Sequence, residues 1–155
     1  MTTLALAVQY ADARAKWLPD RAQVRRWARA TLDAISPERA SEITVRFVSS
    51  KEARTLNITH RGRDYIPNVL TFNLHEGLPL AMPVTADIVV CMSEVARQAR
   101  AQRKTLPAHC AHMVVHGVLH AHGFDHGTNS QAKLMEALER FVLMRFKIAD
   151  PYIER

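Results

Sequence analysis

A chain of 155 residues that is 48% hydrophobic and 23% charged has the balance of one globular domain, long enough to bury a core without disulfides or a structural metal. No run approaches the ~20 apolar residues of a bilayer span, and two cysteines, Cys91 and Cys110, exclude a disulfide framework and suit a reducing, cytoplasmic compartment in which both thiols are buried and inert. The formal charge of +6 is a solubility property first, and it leaves an anionic partner open without requiring one.

Residues 3–9 alternate loosely and predict a first strand; TTLALAVQY has no basic leader and no small-residue cleavage site, so it does not read as a signal peptide. Pro19 and Asp20 open a helix whose Val24, Trp27, Ala28, Leu32 and Ile35 have helical spacing, and Ser36 with Pro37 closes it. Ile43, Val45 and Phe47 alternate with Thr44 and Arg46 as a half-buried strand does. Ser49 and Glu52 then signal a capping box for a short helix reaching about Asn57, followed by THRGRDYIP as a loop.

Residues 68–74 and 85–92 predict two further strands, a hairpin-like pair separated by Gly77, Pro79 and Pro83. Ser93 begins a basic helix, and Pro107 suits the first turn of the next one. Thr128 with Gln131 forms a second capping box before Leu134, Met135, Leu138, Phe141 and Val142. The predicted fold is α+β, a mixed sheet of about four strands packed with about five helices, in a single domain over residues 1–155 with a metal site at the end of a central helix. Arg21, Arg25 and Arg29 recur at i, i+4 and i+8, and Arg97, Arg100 and Lys104 at i, i+3 and i+7, so each set forms one helical stripe. Such stripes either attract phosphates or face solvent.

The helix predicted around Pro107 to Ala121 carries His109, His112, His116 and His120. At ~100° per residue these four fall within about 80° of one another, on one face. His116 and His120 stand one turn apart, with Cβ atoms roughly 5 to 6 Å from each other, so both imidazoles can reach one ion. Gly123 ends the helix, and the turn after it brings His126 toward the same point, in the pattern HxxxHxxGxxH. Three imidazoles with an open fourth position are a catalytic type of site, since a structural zinc is usually closed by four protein ligands.

His109, about 10.5 Å along the axis from His116, is too far to share its ion. It and His112 are expected to pack or hydrogen-bond behind the ligands, and His122 to be exposed. Asp125 either orients an imidazole or forms an Asx turn.

The residue after His116 is Gly117, where a zinc peptidase of the HExxH type carries the glutamate that moves protons. An ion bound here would still supply Lewis acidity and lower the pKa of bound water, and a phosphodiester could use both if positive charge also stabilises the transition state.

AHCAHMVVHGVLHAHGFDH resembles the signature of the YbeY family of bacterial rRNA-maturation endoribonucleases, in which HGxLHxxGxDH carries three metal-binding histidines. LNITHRGRDYIPNVLTF is similar to that family's loop and strand, TADIVVC resembles its GDIVIC strand, and LMEALE matches its acidic helix, so the resemblance covers most of Leu56 to Glu139. Pro67, Asn73 and Ala86 depart from the pattern.

The resemblance implies that His116, His120 and His126 bind one Zn2+ per chain and that Arg61 is the arginine used in RNA cleavage, with His116 counted in the catalytic set. It implies a single-strand-specific endoribonuclease acting on rRNA precursors, in 3′ end maturation of small-subunit rRNA and in ribosome quality control, with the ribosomal small subunit as partner. Two alternatives stay open on the sequence: a zincin-like metalloprotease, which Gly117 opposes, and a non-catalytic ribosome-assembly or RNA-binding factor with a structural metal.

Overall fold

The computed structural model describes residues 2–153. The elements follow in the order β1 (Leu4–Tyr10), α1 (Arg21–Ile35), β2 (Ser41–Val48), α2 (Ser50–Arg61), β3 (Val69–Asn73), β4 (Val84–Cys91), α3 (Met92–Ala101), α4 (Leu106–Ala121) and α5 (Asn129–Met144). The four strands form one sheet in the order β1-β2-β4-β3. β1, β2 and β4 run parallel, and β3 pairs antiparallel with β4 as the hairpin-like pair predicts.

Alternation along the strands divides the core. Ile43, Val45 and Phe47 of β2 and Ile88 and Val90 of β4 face a cluster built with α1, α4 and α5. Val48, Val89 and Cys91 face the opposite side, with Ala53 and Leu56 of α2 and Leu70 of β3. A strand's side chains point alternately to its two faces, so one sheet serves both layers. α4 lies at the centre, with eleven of its sixteen residues buried, including His109 and His112. Both cysteines are buried and free, and burial pushes the Cys110 thiol up. Among the described residues no helix is long and apolar enough to cross a membrane.

The helix ends explain where the predicted boundaries hold. Asp20 accepts from the Gln23 N–H at 2.7 Å, and Thr128 and Gln131 complete a reciprocal capping box at 3.2 and 3.1 Å. The box predicted at Ser49 is only half made: Ser49 Oγ accepts from the Glu52 N–H at 3.2 Å, but the Glu52 carboxylate turns to Arg46 at 2.7 Å.

α2 also runs four residues beyond the predicted end at Asn57, so Thr59, His60 and Arg61 form its last turn and are not loop. The reason is Gly62, whose φ of +65° lets the chain close the helix with Gly62 N–H donating to Ile58 O at 3.0 Å and Arg63 N–H to Asn57 O at 3.3 Å.

Four of the six stripe residues make contacts within the molecule, although Arg21 and Arg97 stay exposed while doing so. Arg21 donates to Val8 O at 3.3 Å and lies over the Tyr10 ring, while Arg29 donates to Thr2 O at 2.7 Å and pairs with Asp33 at 3.4 Å. Arg97 forks onto Glu94 at 3.0 and 3.1 Å, and Lys104 Nζ donates to Pro151 O at 2.7 Å. Arg25 and Arg100 remain exposed.

Candidate metal centre

The centre grows out of the C-terminal end of α4. His116 and His120 project from successive turns, with ring centroids 5.3 Å apart. After His122 the chain turns on Gly123, whose φ is +91°, and Phe124 N–H donates back to Leu119 O at 3.2 Å. That reversal carries His126 to 5.6 Å from the His116 ring and 5.4 Å from the His120 ring. One nitrogen from each imidazole lies within 4.8 Å of the other two, so the three can hold one metal ion. His116 and His120 are half-buried and His126 is exposed, which leaves the site open on its outer side.

The protonation chemistry suits a cation. Burial, then the charge of His116, holds His120 below its ordinary pKa; His126 and Arg61 act in the same direction and Asp125 opposes them. A neutral imidazole is the metal-binding form.

Behind the ligands stands a residue that sequence reasoning missed. Glu139 of α5 is fully buried and accepts from His116 Nδ1–H at 2.7 Å through one oxygen and from His112 Nε2–H at 2.8 Å through the other. Tyr152 also donates its hydroxyl to this carboxylate. Burial pushes the carboxyl up, but hydrogen bonds from His112 and His116 and their charge outweigh it and hold its pKa at about 2. With Nδ1 committed to Glu139, His116 presents Nε2 as its free donor atom, the arrangement in which a carboxylate orients a ligating histidine. This fit of three open imidazoles, one with its tautomer set from behind, is what a resident metal requires.

A signal for Glu139 was available. It shares a helical face with Met135 and Val142, at i, i+4 and i+7, so it is a carboxylate on the core side of an amphipathic helix.

His109 and His112 lie behind the ligands as expected, His109 bonding Gln98 Oε1 at 3.0 Å and His112 reaching Glu139. His122 departs from expectation. It is half-buried, not exposed, because its Nδ1–H donates to Val118 O at 2.9 Å and its Nε2 accepts from the Ser41 hydroxyl at 2.8 Å, which ties α4 to β2. Asp125 accepts from the His126 N–H at 2.8 Å, and its carboxylate stays 3.8 to 3.9 Å from the His126 and His120 rings. It therefore holds the local backbone and adds negative charge beside both rings.

Arg61 stands exposed on the last turn of α2. It donates to Thr71 O of β3 at 2.8 Å and lies over the Phe72 ring at 5.7 Å, close enough for its charge to act on His120. Pro67 is buried at the entry to β3, and Ala86 pairs across the sheet with Asn73, so the unusual residues fit the sheet edge nearest Arg61. Gly117 faces the sheet: a Cβ there would come 2.6 Å from Cγ2 of Ile88. A glutamate at this position would have no room beside the strand.

Comparison with known proteins agrees with this geometry. The family model described as "Endoribonuclease YbeY" matches residues 9–147. The chain is 48% identical over 149 residues to a protein of that name from Thiobacillus denitrificans, covering 96% of each chain. It is 48% identical over 157 residues to one from Bordetella parapertussis, covering 98% of each, and 45% identical over 154 residues to one from Methylobacillus flagellatus, covering 98% and 95%. A solution structure of a Thermotoga maritima protein has a similar fold, with a TM-score of 0.60 at 21% identity over 96% of each chain.

Proposed function

This chain belongs to the YbeY endoribonuclease family, and from that premise we propose that it cleaves single-stranded RNA with one Zn2+ held by His116, His120 and His126, working as one domain over residues 1–155 in the cytoplasm. The observation that carries the reading is the convergence of three imidazole nitrogens within 4.8 Å at an open surface. The substrate is an rRNA precursor, cut in 3′ end maturation of small-subunit rRNA and in ribosome quality control, with the small subunit as partner.

Each residue has a role that its chemistry permits. A bound divalent ion supplies Lewis acidity for a phosphate oxygen or for water. His116, oriented by Glu139, offers Nε2 in a fixed direction, so the site is prearranged before substrate arrives. Arg61 is held at the end of a rigid helix by its bond to Thr71 O, and its planar fork can take two oxygens of the scissile phosphate and offset the charge that develops there. No side chain at position 117 can play the peptidase glutamate's part, which favours phosphodiester over peptide cleavage.

A nuclease assay on single-stranded RNA with highly purified parent and His116→Ala protein tests this reading. Cleavage by the parent, its loss with chelator while the fold persists, and its loss in the variant support it. Equal cleavage by both proteins assigns the activity to a contaminant and sinks it. Replacing the 2′-hydroxyl at the cut site by hydrogen then decides the nucleophile, because only attack by the neighbouring hydroxyl needs that group.

A further inference from the structure

Residues 150–153 cross a groove between α1, α3 and α4, and cavities of about 480 and 550 Å³ flank them. Both cavities are lined by His109, His112 and Pro151, so this strap is packed loosely on either side. A few directional contacts hold it. Lys104 Nζ donates to Pro151 O at 2.7 Å, Arg140 Nε donates to Asp150 at 2.9 Å, and the Arg140 guanidinium lies over the Tyr152 ring at 5.4 Å. Tyr152 is itself 40% exposed and Ile153 60%. A segment with so little buried apolar contact can leave its seat without unfolding the core.

A further contact of the strap reaches the metal centre. The Tyr152 hydroxyl donates to Oε2 of Glu139, the carboxylate whose other oxygen takes the His116 Nδ1–H. Glu139 is fully buried, so each donor to its carboxylate counts toward holding the charge in place. Without the phenol, Oε2 keeps only the His112 bond and Oε1 the His116 bond, so the carboxylate that orients His116 is held by two donors in place of three.

We propose that Tyr152 is a positioning residue for the metal centre, and that docking of the C-terminal strap and metal affinity are coupled through the chain Tyr152, Glu139, His116. The inference rests on the metal-site reading above. Coupling of this kind is reciprocal: whatever factor the seated strap adds to metal affinity, bound metal adds to the seating of the strap.

The test uses the full chain and Zn2+ alone, with affinity measured by competition against a chromophoric chelator. Tyr152→Phe keeps the ring that packs at 5.5 Å on His112 and removes only the hydroxyl, so the fold is retained, which thermal unfolding verifies. Its affinity is expected to fall about 10-fold, the lower end of the effect of groups behind a ligand. Asp150→Asn loosens the strap but keeps the phenol, and a smaller fall is expected.

Two further readouts separate positioning from general stability. Amide exchange over residues 148–153 slows when zinc is added to the parent and does not in Tyr152→Phe. The hydrogen-bonded Nδ1 proton of His116 is expected to give a sharp NMR signal in the parent and a broadened one in Tyr152→Phe.

An affinity for Tyr152→Phe that is unchanged or tighter, or strap exchange indifferent to zinc in the parent, overturns the coupling. His116→Ala in the same titration separates the two claims. If that variant binds zinc like the parent, the metal-site reading fails; if it loses zinc while Tyr152→Phe does not, only the coupling fails.

Discussion

A Cβ added to Gly117 would lie 2.6 Å from Cγ2 and 3.1 Å from Cδ1 of Ile88. The central helix therefore lies so close to Ile88 of β4 that a side chain at position 117 forces one of the two to shift. Ile88 is fully buried and cannot swing aside cheaply. Gly117→Ala is expected to destabilise by about 1–3 kcal/mol through overpacking, against the gain of about 1 kcal/mol that alanine has over glycine in a free helix. In an Ile88→Ala background the same change becomes neutral or stabilising. Urea unfolding of the four proteins of this cycle checks it, and an equal cost in both backgrounds would show that the contact is not the cause.

Glu139→Gln retains the size of the side chain but replaces one acceptor oxygen by an NH2 donor, which faces either the His116 imidazole or the His112 imidazole together with the Tyr152 phenol. Zinc affinity should fall by about 10–100-fold, the usual effect of removing a carboxylate that orients a ligating histidine. Competition with a chelator measures it. Unaltered affinity in a folded variant would remove Glu139 from the centre.

Arg61 is exposed, so reversing its charge leaves the fold intact. Arg61→Glu gives up the bond to Thr71 O and places an acid in the last turn of α2, so it should unfold within about 2 kcal/mol of the parent, while RNA cleavage slows on the order of 10²-fold or more. Arg61→Lys should fall between them, because an ammonium restores charge but not the planar fork. Single-turnover rates decide this; an Arg61→Glu protein as fast as the parent would take Arg61 out of the mechanism.

Burial, and then the charges of His112 and Lys104, hold the His109 pKa down from 6.5 to about 4. Between these values the unfolded chain takes up a proton that the folded protein refuses, so stability falls as pH drops from about 6.5 to 4, and the loss levels off below the folded value. The shift corresponds to about 3 kcal/mol at most. His109→Gln removes the titration, so the difference in unfolding free energy between variant and parent should change across that window and stay level above it. A constant difference from pH 7 to 4 would contradict the buried neutral histidine.

The order of all nine elements and the mixed character of the sheet were legible along the chain, because hydrophobic period and capping residues act locally. The same holds for His116, His120 and His126, which one helix turn and one glycine turn bring together. The end of α2 was harder to place. Its last turn, THR, has no apolar period, and only the left-handed conformation of Gly62 keeps the helix running through Arg61.

What the sequence by itself determined is therefore whatever lies within about ten residues of itself: strands, caps and three ligands spaced to meet. The tertiary structure alone decided which distant groups stand behind them. Glu139 reaches His116 from 23 residues away because α5 packs on α4, His122 finds Ser41 across 81 residues, and Gly117 is explained only by Ile88 on the strand beneath it. Hydrogen bonds and contact distances of this kind depend on how packed elements sit against one another, and no local spacing encodes that.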